Sequence, residues 1–364
     1  MRTITAGASA GLFVTAILLT AAAPEAARAD SSTVVVHPGQ SVQAAIDAAP
    51  SYGTVVLTAG TYKENLLVTK PLTLRGSGRV LLTPPDALSA NRCTEDQDAK
   101  LPDGQLLPVG ICVLGTLGGP VDPGAGDLPS VISPVADVHI TALEIDNFAE
   151  GIESDGTSGL TITDVTAHGN TNGIDAFFGT GTVLSRVTIT GGSGYAAASL
   201  QRSRDVRVSD SSFTGNGGFG LSLLDTRGGT VTASTFTGNS GGIAVVDTPA
   251  AEPAGGLTIT GNRITDNDGY FPGDGSAPPV SGLGIVLVGT TDSVVAGNQV
   301  VDNLPSGAAP FSGFGIGLFD ATDITGGNTA DHNQITGNRI SGSPLALLDA
   351  SNGADNVIHG NHTS

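Results

Sequence analysis

Tryptophan is absent from the 364-residue chain, methionine occurs once, and only 4% of residues are aromatic. A core without large rings must be filled by small aliphatic side chains, which points away from a helical or α/β enzyme and towards short strands. Basic residues are scarce too: 15 Lys and Arg stand against 34 Asp and Glu, a formal charge of −19. Nucleic-acid binding needs cations to neutralise phosphates, so no nucleic-acid partner is expected. The acidity leaves two readings open, a self-repelling extracellular surface or carboxylates that hold a hard cation such as Ca2+. Long apolar runs are missing as well. The one candidate, residues 12–19, is short for a bilayer span. It follows Arg2 and precedes Ala27-Arg28-Ala29, which reads as a secretory signal over residues 1–29. A secreted protein with no membrane attachment after cleavage is expected. Cysteine is limited to Cys93 and Cys112, and an even pair in an exported chain reads as a disulfide.

What is abundant is glycine, 53 residues of it, in a repeating context. The triplets Gly151-Ile152-Glu153, Gly173-Ile174-Asp175, Gly220-Leu221-Ser222, Gly242-Ile243-Ala244, Gly284-Ile285-Val286 and Gly315-Ile316-Gly317 recur at about 22 residues. Gly194-Tyr195-Ala196 is a degenerate copy. A second column runs through Asn170, Ser193, Asn216, Asn239, Asn267 and Asn303. Where its step lengthens, insertions at 248–255, 270–282 and 304–313 account for the excess. Three short strands per period of 22 to 23 residues give an all-β, single-stranded parallel β-helix, with the aliphatic residue of each triplet stacked inside. Ser41 followed by residues 42–49 reads as a capped helix closing the N-terminal end. The domain is expected over residues 30–364. Residues 84–134 break the period and are read as a disulfide-containing loop around one strand, 111–114.

The segment Gln43-Ala44-Ala45-Ile46-Asp47-Ala48-Ala49-Pro50 with Gly60-Thr61-Tyr62-Lys63-Glu64-Asn65 resembles the opening of pectin methylesterases. It resembles equally the start of periplasmic copper-site maturation proteins of nitrous oxide reductase. The remaining repeats are similar to those of the right-handed, pectate-lyase-like β-helix superfamily, which implies a right-handed coil and a carbohydrate partner. Asp175-Ala176-Phe177-Phe178-Gly179 is similar to the methylesterase motif whose Asp is the nucleophile, and Glu153 lies one coil before it. The methylesterase Gln-Asp-Thr and Gly-Arg-Pro-Trp segments are absent.

Several residues carry candidate chemistry. Glu153 and Asp175 each follow an inward Ile and sit one coil apart, about 4.8 Å between strands. Like charges that close split their pKa values into an acid and a base, which suits retaining glycoside hydrolysis or joint calcium ligation with Asp155. The bland alternative is a solvated pair. Arg186, Arg202, Arg204 and Arg207 cluster on the next coils. Arg202 and Arg204 are candidate binders of substrate carboxylates, or else partners of nearby Asp205, Asp210 and Asp225. His168, His139, Tyr195 and Tyr270 are further acid/base candidates, with Tyr270 also a sugar-stacking surface. Asp266 and Asp268, spaced around Asn267, are candidate calcium ligands.

These readings lead to a secreted β-helix that binds or processes an extracellular, acidic polysaccharide, as a lyase or glycoside hydrolase. A non-catalytic surface or adhesion protein is the opposing class, and a metal-handling accessory protein a third. Oligomeric state is not legible.

Overall fold

A computed structural model describes residues 32–95, 105–118, 129–249, 252–275 and 277–364. The expected signal segment, 1–29, lies outside the described residues. Consecutive strands wind into a coil, and equivalent strands of successive coils pair in parallel and in register. The stacks form three faces. The first face begins with Thr33–Val36, Gly53–Lys63, Leu72–Thr83 and Val138–Thr141, and ends with Val357–His359. The second face runs from Glu144–Asp146 to His362–Thr363. Gly53–Lys63 and Leu72–Thr83 are long enough to bend around a corner, so the first two faces join in one 21-stranded sheet. The third face is a separate sheet from Leu66–Val68 through Val109–Leu114, Glu150–Asp155 and Asn172–Phe177 to Leu345–Ala350. The parallel β-helix read from the repeats is what the chain forms.

The aliphatic row of the triplets is buried as expected. Ile111, Ile152, Ile174, Ala198, Leu221, Ile243, Ile285 and Ile316 stack in register with no exposure. The expected degenerate copy is corrected: Ala197-Ala198-Ser199, and not Gly194-Tyr195-Ala196, occupies the triplet register, because the preceding corner takes up two more residues. The glycine before each of the other aliphatic residues has a packing reason. A methyl on Gly151 would sit 2.5 Å from the carbonyl oxygen of Gly173, and one on Gly242 2.6 Å from that of Gly284. Each strand thus lies too close to the next for a side chain there.

Buried polar ladders hold the corners. Between the second and third faces, the backbone N–H of Asn216 donates to Asn239 Oδ1, that of Asn239 to Asn267, and that of Asn267 to Asn303, each at 3.0–3.1 Å. One expected member is corrected: the column is occupied by Gly192, whose N–H donates to Asn216 Oδ1 at 2.9 Å, and not by Ser193. Two ladders were not foreseen. Ser234, Asn262, Asn298, Asn338 and Asn361 form one at the corner between the first and second faces. Ser293, Asn333 and Asn356 form another between the third and first.

The expected helix is present as Val42–Ala48, N-capped by Ser41, with Val42, Ala45 and Ile46 buried against the first coil. Glu64 accepts hydrogen bonds from the Ser41 hydroxyl and from the N–H groups of Val42 and Gln43. The Gly60–Asn65 run therefore serves to seat the end cap. In the irregular stretch, Cys93 and Cys112 are joined by the expected disulfide. Val109–Leu114 supplies a third-face strand, and Thr116–Gly118 pairs antiparallel with Ser130–Ser133.

Candidate functional site

The third face brings the acidic residues together. Glu153 pairs directly with Asp175 on the next strand and with Cys112 on the previous one, and Ser199 follows Asp175. Glu150 stands opposite Asn172 in the same register. These side chains point outward, yet Glu153 and Asp175 are only 7% exposed. The disulfide packs against part of this row: the Cys93 sulfur and carboxylate oxygens of Glu153 and Asp155 all lie within 4.8 Å of one another. A solvated pair is thereby replaced by a cluster of carboxyl groups in a low-dielectric setting.

Electrostatics then fix the protonation. Burial pushes the Asp175 carboxyl up to about 7, against hydrogen bonds from Glu150, Asn172 and Ser199 that favour its ionised form. Glu150 is held well above the usual carboxylate range by burial, by the Asp175 and Glu153 charges, and by its hydrogen bond to Asp175. The two carboxyl groups titrate as a pair that keeps a proton where isolated carboxylates would lose it. Asn172 clamps both, its amide donating to Glu150 Oε1 at 3.0 Å and to Asp175 Oδ2 at 3.1 Å. Glu150 Oε2 and Asp175 Oδ1 are buried and have no hydrogen-bond partner among the described residues.

Glu150 and Asn172 are absent from the sequence-level candidates. Glu150 precedes Glu153 by three residues, as Asn172 precedes Asp175, and the two pairs lie 22 residues apart, but this spacing alone does not show that the two side chains meet.

Other candidates are placed elsewhere. His168 lies on the second face in Thr166–His168, paired with Asp146 and Thr190 and bonded through Nδ1 to Thr190 Oγ1 at 2.9 Å. It does not reach the carboxylates, because the corner after it turns the chain onto another face. Arg202 contacts Asp225 at 3.4 Å, and Arg204 contacts Glu252 at 2.6 Å. The arginines are thus engaged by carboxylates, as Arg186 is by Asp164 at 2.7 Å. Tyr270 is 44% exposed and its ring lies over Gly307, so it holds one insertion against the next. Asp266 and Asp268 are exposed on either side of buried Asn267, and among the described residues they join no third acidic, His or Cys ligand. Asp155 does approach Glu153, but the Cys93 sulfur beside them is spent in the disulfide.

Further along the third face the surface changes character. Ser199 and Ser222 continue the row of Asp175, followed by Ala244 and Val286. Tyr195, Phe219, Val246, Val288, Phe311 and Ile324 line an apolar groove there. Tyr195 packs edge-on against Phe219 and Phe271, with ring centroids 5.5 and 5.7 Å away.

No curated protein matches the chain by sequence. Among solved structures, the chain is similar to the A-module of Azotobacter vinelandii mannuronan C-5 epimerase AlgE6, with 17% identity and a TM-score of 0.53 over 89% of this chain and 94% of that one. It is similar to the periplasmic alginate epimerase AlgG at 12% identity and a TM-score of 0.53, over 92% and 84%. It is also similar to a variant of the DFA-IIIase of Arthrobacter chlorophenolicus, at 12% identity and a TM-score of 0.54, over 85% and 74%. At such identities the likeness concerns the fold. The family described as the right handed beta helix region matches residues 131–255 and 249–363, over half of the sequence. The coil, its in-register parallel faces and this match agree, and the chain belongs to the right-handed β-helix family.

Proposed function

We propose that this protein is an exported β-helix that binds a polysaccharide along its third face and hydrolyses a glycosidic bond there. The observation that carries the reading is the cluster of carboxyl groups on that face, with Glu153 paired across from Asp175 and Asn172 donating to both Glu150 and Asp175. Glycoside hydrolysis needs one carboxyl group protonated and another ionised beside the same bond. The Glu150–Asp175 pair gives its proton to the glycosidic oxygen as the C–O bond breaks, while Glu153, directly across from Asp175 at about one strand spacing, attacks the anomeric carbon, the separation that suits a retaining route. Water then displaces Glu153 from the anomeric carbon and returns a proton to the pair. Similarity to an alginate epimerase and to an A-module of a mannuronan epimerase supports a glycan partner.

A second reading, cleavage of an acidic glycan with calcium, is favoured by Arg92. This residue lines an open pocket with Thr69, Leu114 and Thr116 and makes no ion pair among the described residues. Glu153 and Asp155 would hold the calcium through their carboxylates, and the ion would neutralise the charge of a bound uronate.

Incubation with pectate, alginate and neutral glycans, with and without calcium, separates these. Reducing ends without unsaturated-uronate absorbance are expected. Absorbance that rises only with calcium would favour the second reading. Silence with every glycan would remove the catalytic assignment and leave a non-catalytic surface role.

A further inference from the structure

We propose that the dithiol state of this chain holds a zinc ion between Cys93, Cys112, Glu153 and Asp155, so that the disulfide and a metal site are alternative states of one place on the third face. This inference goes beyond the hydrolytic reading and stands or falls without it. The Cys93 sulfur and carboxylate oxygens of Glu153 and Asp155 lie within 4.8 Å of one another. Cys112 supplies the fourth donor. Its sulfur is bonded to that of Cys93, and it is the register partner of Glu153 on the preceding strand.

The donor set decides which ion fits. Zinc takes four ligands in a tetrahedron, with thiolate sulfur at about 2.3 Å and carboxylate oxygen at about 2.0–2.2 Å. Donors already gathered within 4.8 Å close to such lengths through small side-chain rotations. Two thiolates among the four favour zinc over calcium, which takes oxygen alone. Three of the donors stand on paired strands, Cys112 on Val109–Leu114 and the two acids on Glu150–Asp155. Cys93 is placed by backbone bonds that do not involve the disulfide. Asn91 Oδ1 accepts from the N–H groups of Cys93 and Thr94 at 3.0 and 3.1 Å. Asn65 clasps Ser89, with Nδ2 donating to its carbonyl at 2.9 Å and Oδ1 accepting from its N–H at 2.8 Å. When the sulfurs part, these bonds keep the Cys93 thiol within reach while its side chain turns freely. An incoming ion displaces the two thiol protons. A small-molecule disulfide reverses the state: it takes two electrons from the thiolates and two protons from water, leaves as two thiols, and the Cys93–Cys112 bond forms as the ion is freed.

The full chain is reduced without air by a trialkylphosphine, which breaks the S–S bond and leaves as its oxide with an oxygen from water. Cobalt(II) is the probe, because thiolate ligands give it a sulfur-to-metal charge-transfer band and a tetrahedral site gives it intense visible bands. One equivalent should bring out both, and one equivalent of zinc should bleach them. The oxidised chain should show neither. Glu153→Gln and Asp155→Asn should each weaken cobalt binding at least tenfold. Where reduction loosens the fold, circular dichroism is the second readout, and zinc should restore the ellipticity of the reduced parent and raise its Tm. Equal binding by the oxidised chain, or by the reduced chain carrying both Glu153→Gln and Asp155→Asn, would overturn the site. A reduced chain that shows no charge-transfer band and whose Tm zinc does not raise would overturn it as well.

Discussion

The proton held by the Glu150–Asp175 pair sets the pH behaviour. In the unfolded chain Asp175 ionises near about 3.9, and in the folded protein near about 7. The folded state therefore binds this proton more tightly. Its stabilising contribution is complete below about pH 4 and is lost as pH rises through about 7. Asp175→Asn should flatten the fall in Tm between pH 4 and 8, measured by differential scanning calorimetry. For catalysis the sign is the same, since the pair must hold its proton to act as acid. Turnover should fall as pH rises through about 7. Glu150→Gln and Asp175→Asn should each lower kcat by about 10²–10⁴-fold, with little change in KM for the glycan. Glu153 and Asp175 were legible at this scale because each follows a triplet isoleucine. Glu150 was not, because it precedes the glycine and its role depends on the hydrogen bond it makes across strands.

Within each coil the elements are short, many of them three to six residues long, so most cohesion comes from stacking onto neighbouring coils. The corner ladders supply the directional part. Asn239 is fully buried, accepts from Asn216 N, and donates to the Phe213 carbonyl and to Asn267 Oδ1. Asn239→Ala removes these bonds and leaves buried backbone groups unpaired, at a cost of about 2–4 kcal/mol. A lower urea midpoint with an unchanged m-value is the expected result. The same ladder shows how far a periodic reading extends. Steps of 23 residues pointed to Ser193, but the chain puts Gly192 in the column and absorbs the difference in the following turn. A turn can shift by one residue at no cost to the strands beside it, so register at corners is decided by the bonds that form. The helix cap was more legible, since Ser41 and the apolar positions Val42, Ala45 and Ile46 are local signals.

At the scale of the whole molecule, the Cys93–Cys112 disulfide does more than close a loop. Cys112 pairs with Glu153 across the third face, and the Cys93 sulfur lies against Glu153 and Asp155, so the bond packs directly on part of the acidic cluster. Reduction should cost about 3 kcal/mol of stability. It should also lower activity at temperatures where far-ultraviolet circular dichroism is unchanged, because the sulfur packed against Glu153 and Asp155 would no longer be held there. Equal loss of activity and of ellipticity would mean that the disulfide serves the fold alone.

The sequence by itself determined the coil. A period near 22 residues, an aliphatic position and a preceding glycine are local, repeated constraints, and parallel strands in register are what satisfies them together. It also determined the disulfide, because only two cysteines exist to pair. Tertiary structure alone decided which polar residues meet and how wet they are. Glu150 and Asp175 are 25 positions apart, Arg202 and Asp225 are 23 apart, and His168 is nearer in sequence to Asp175 than Glu150 is. Proximity along the chain says little once corners send adjacent strands to different faces. Contact of the acids with the disulfide depends on an irregular segment folding across a regular sheet, and no period in the sequence encodes that.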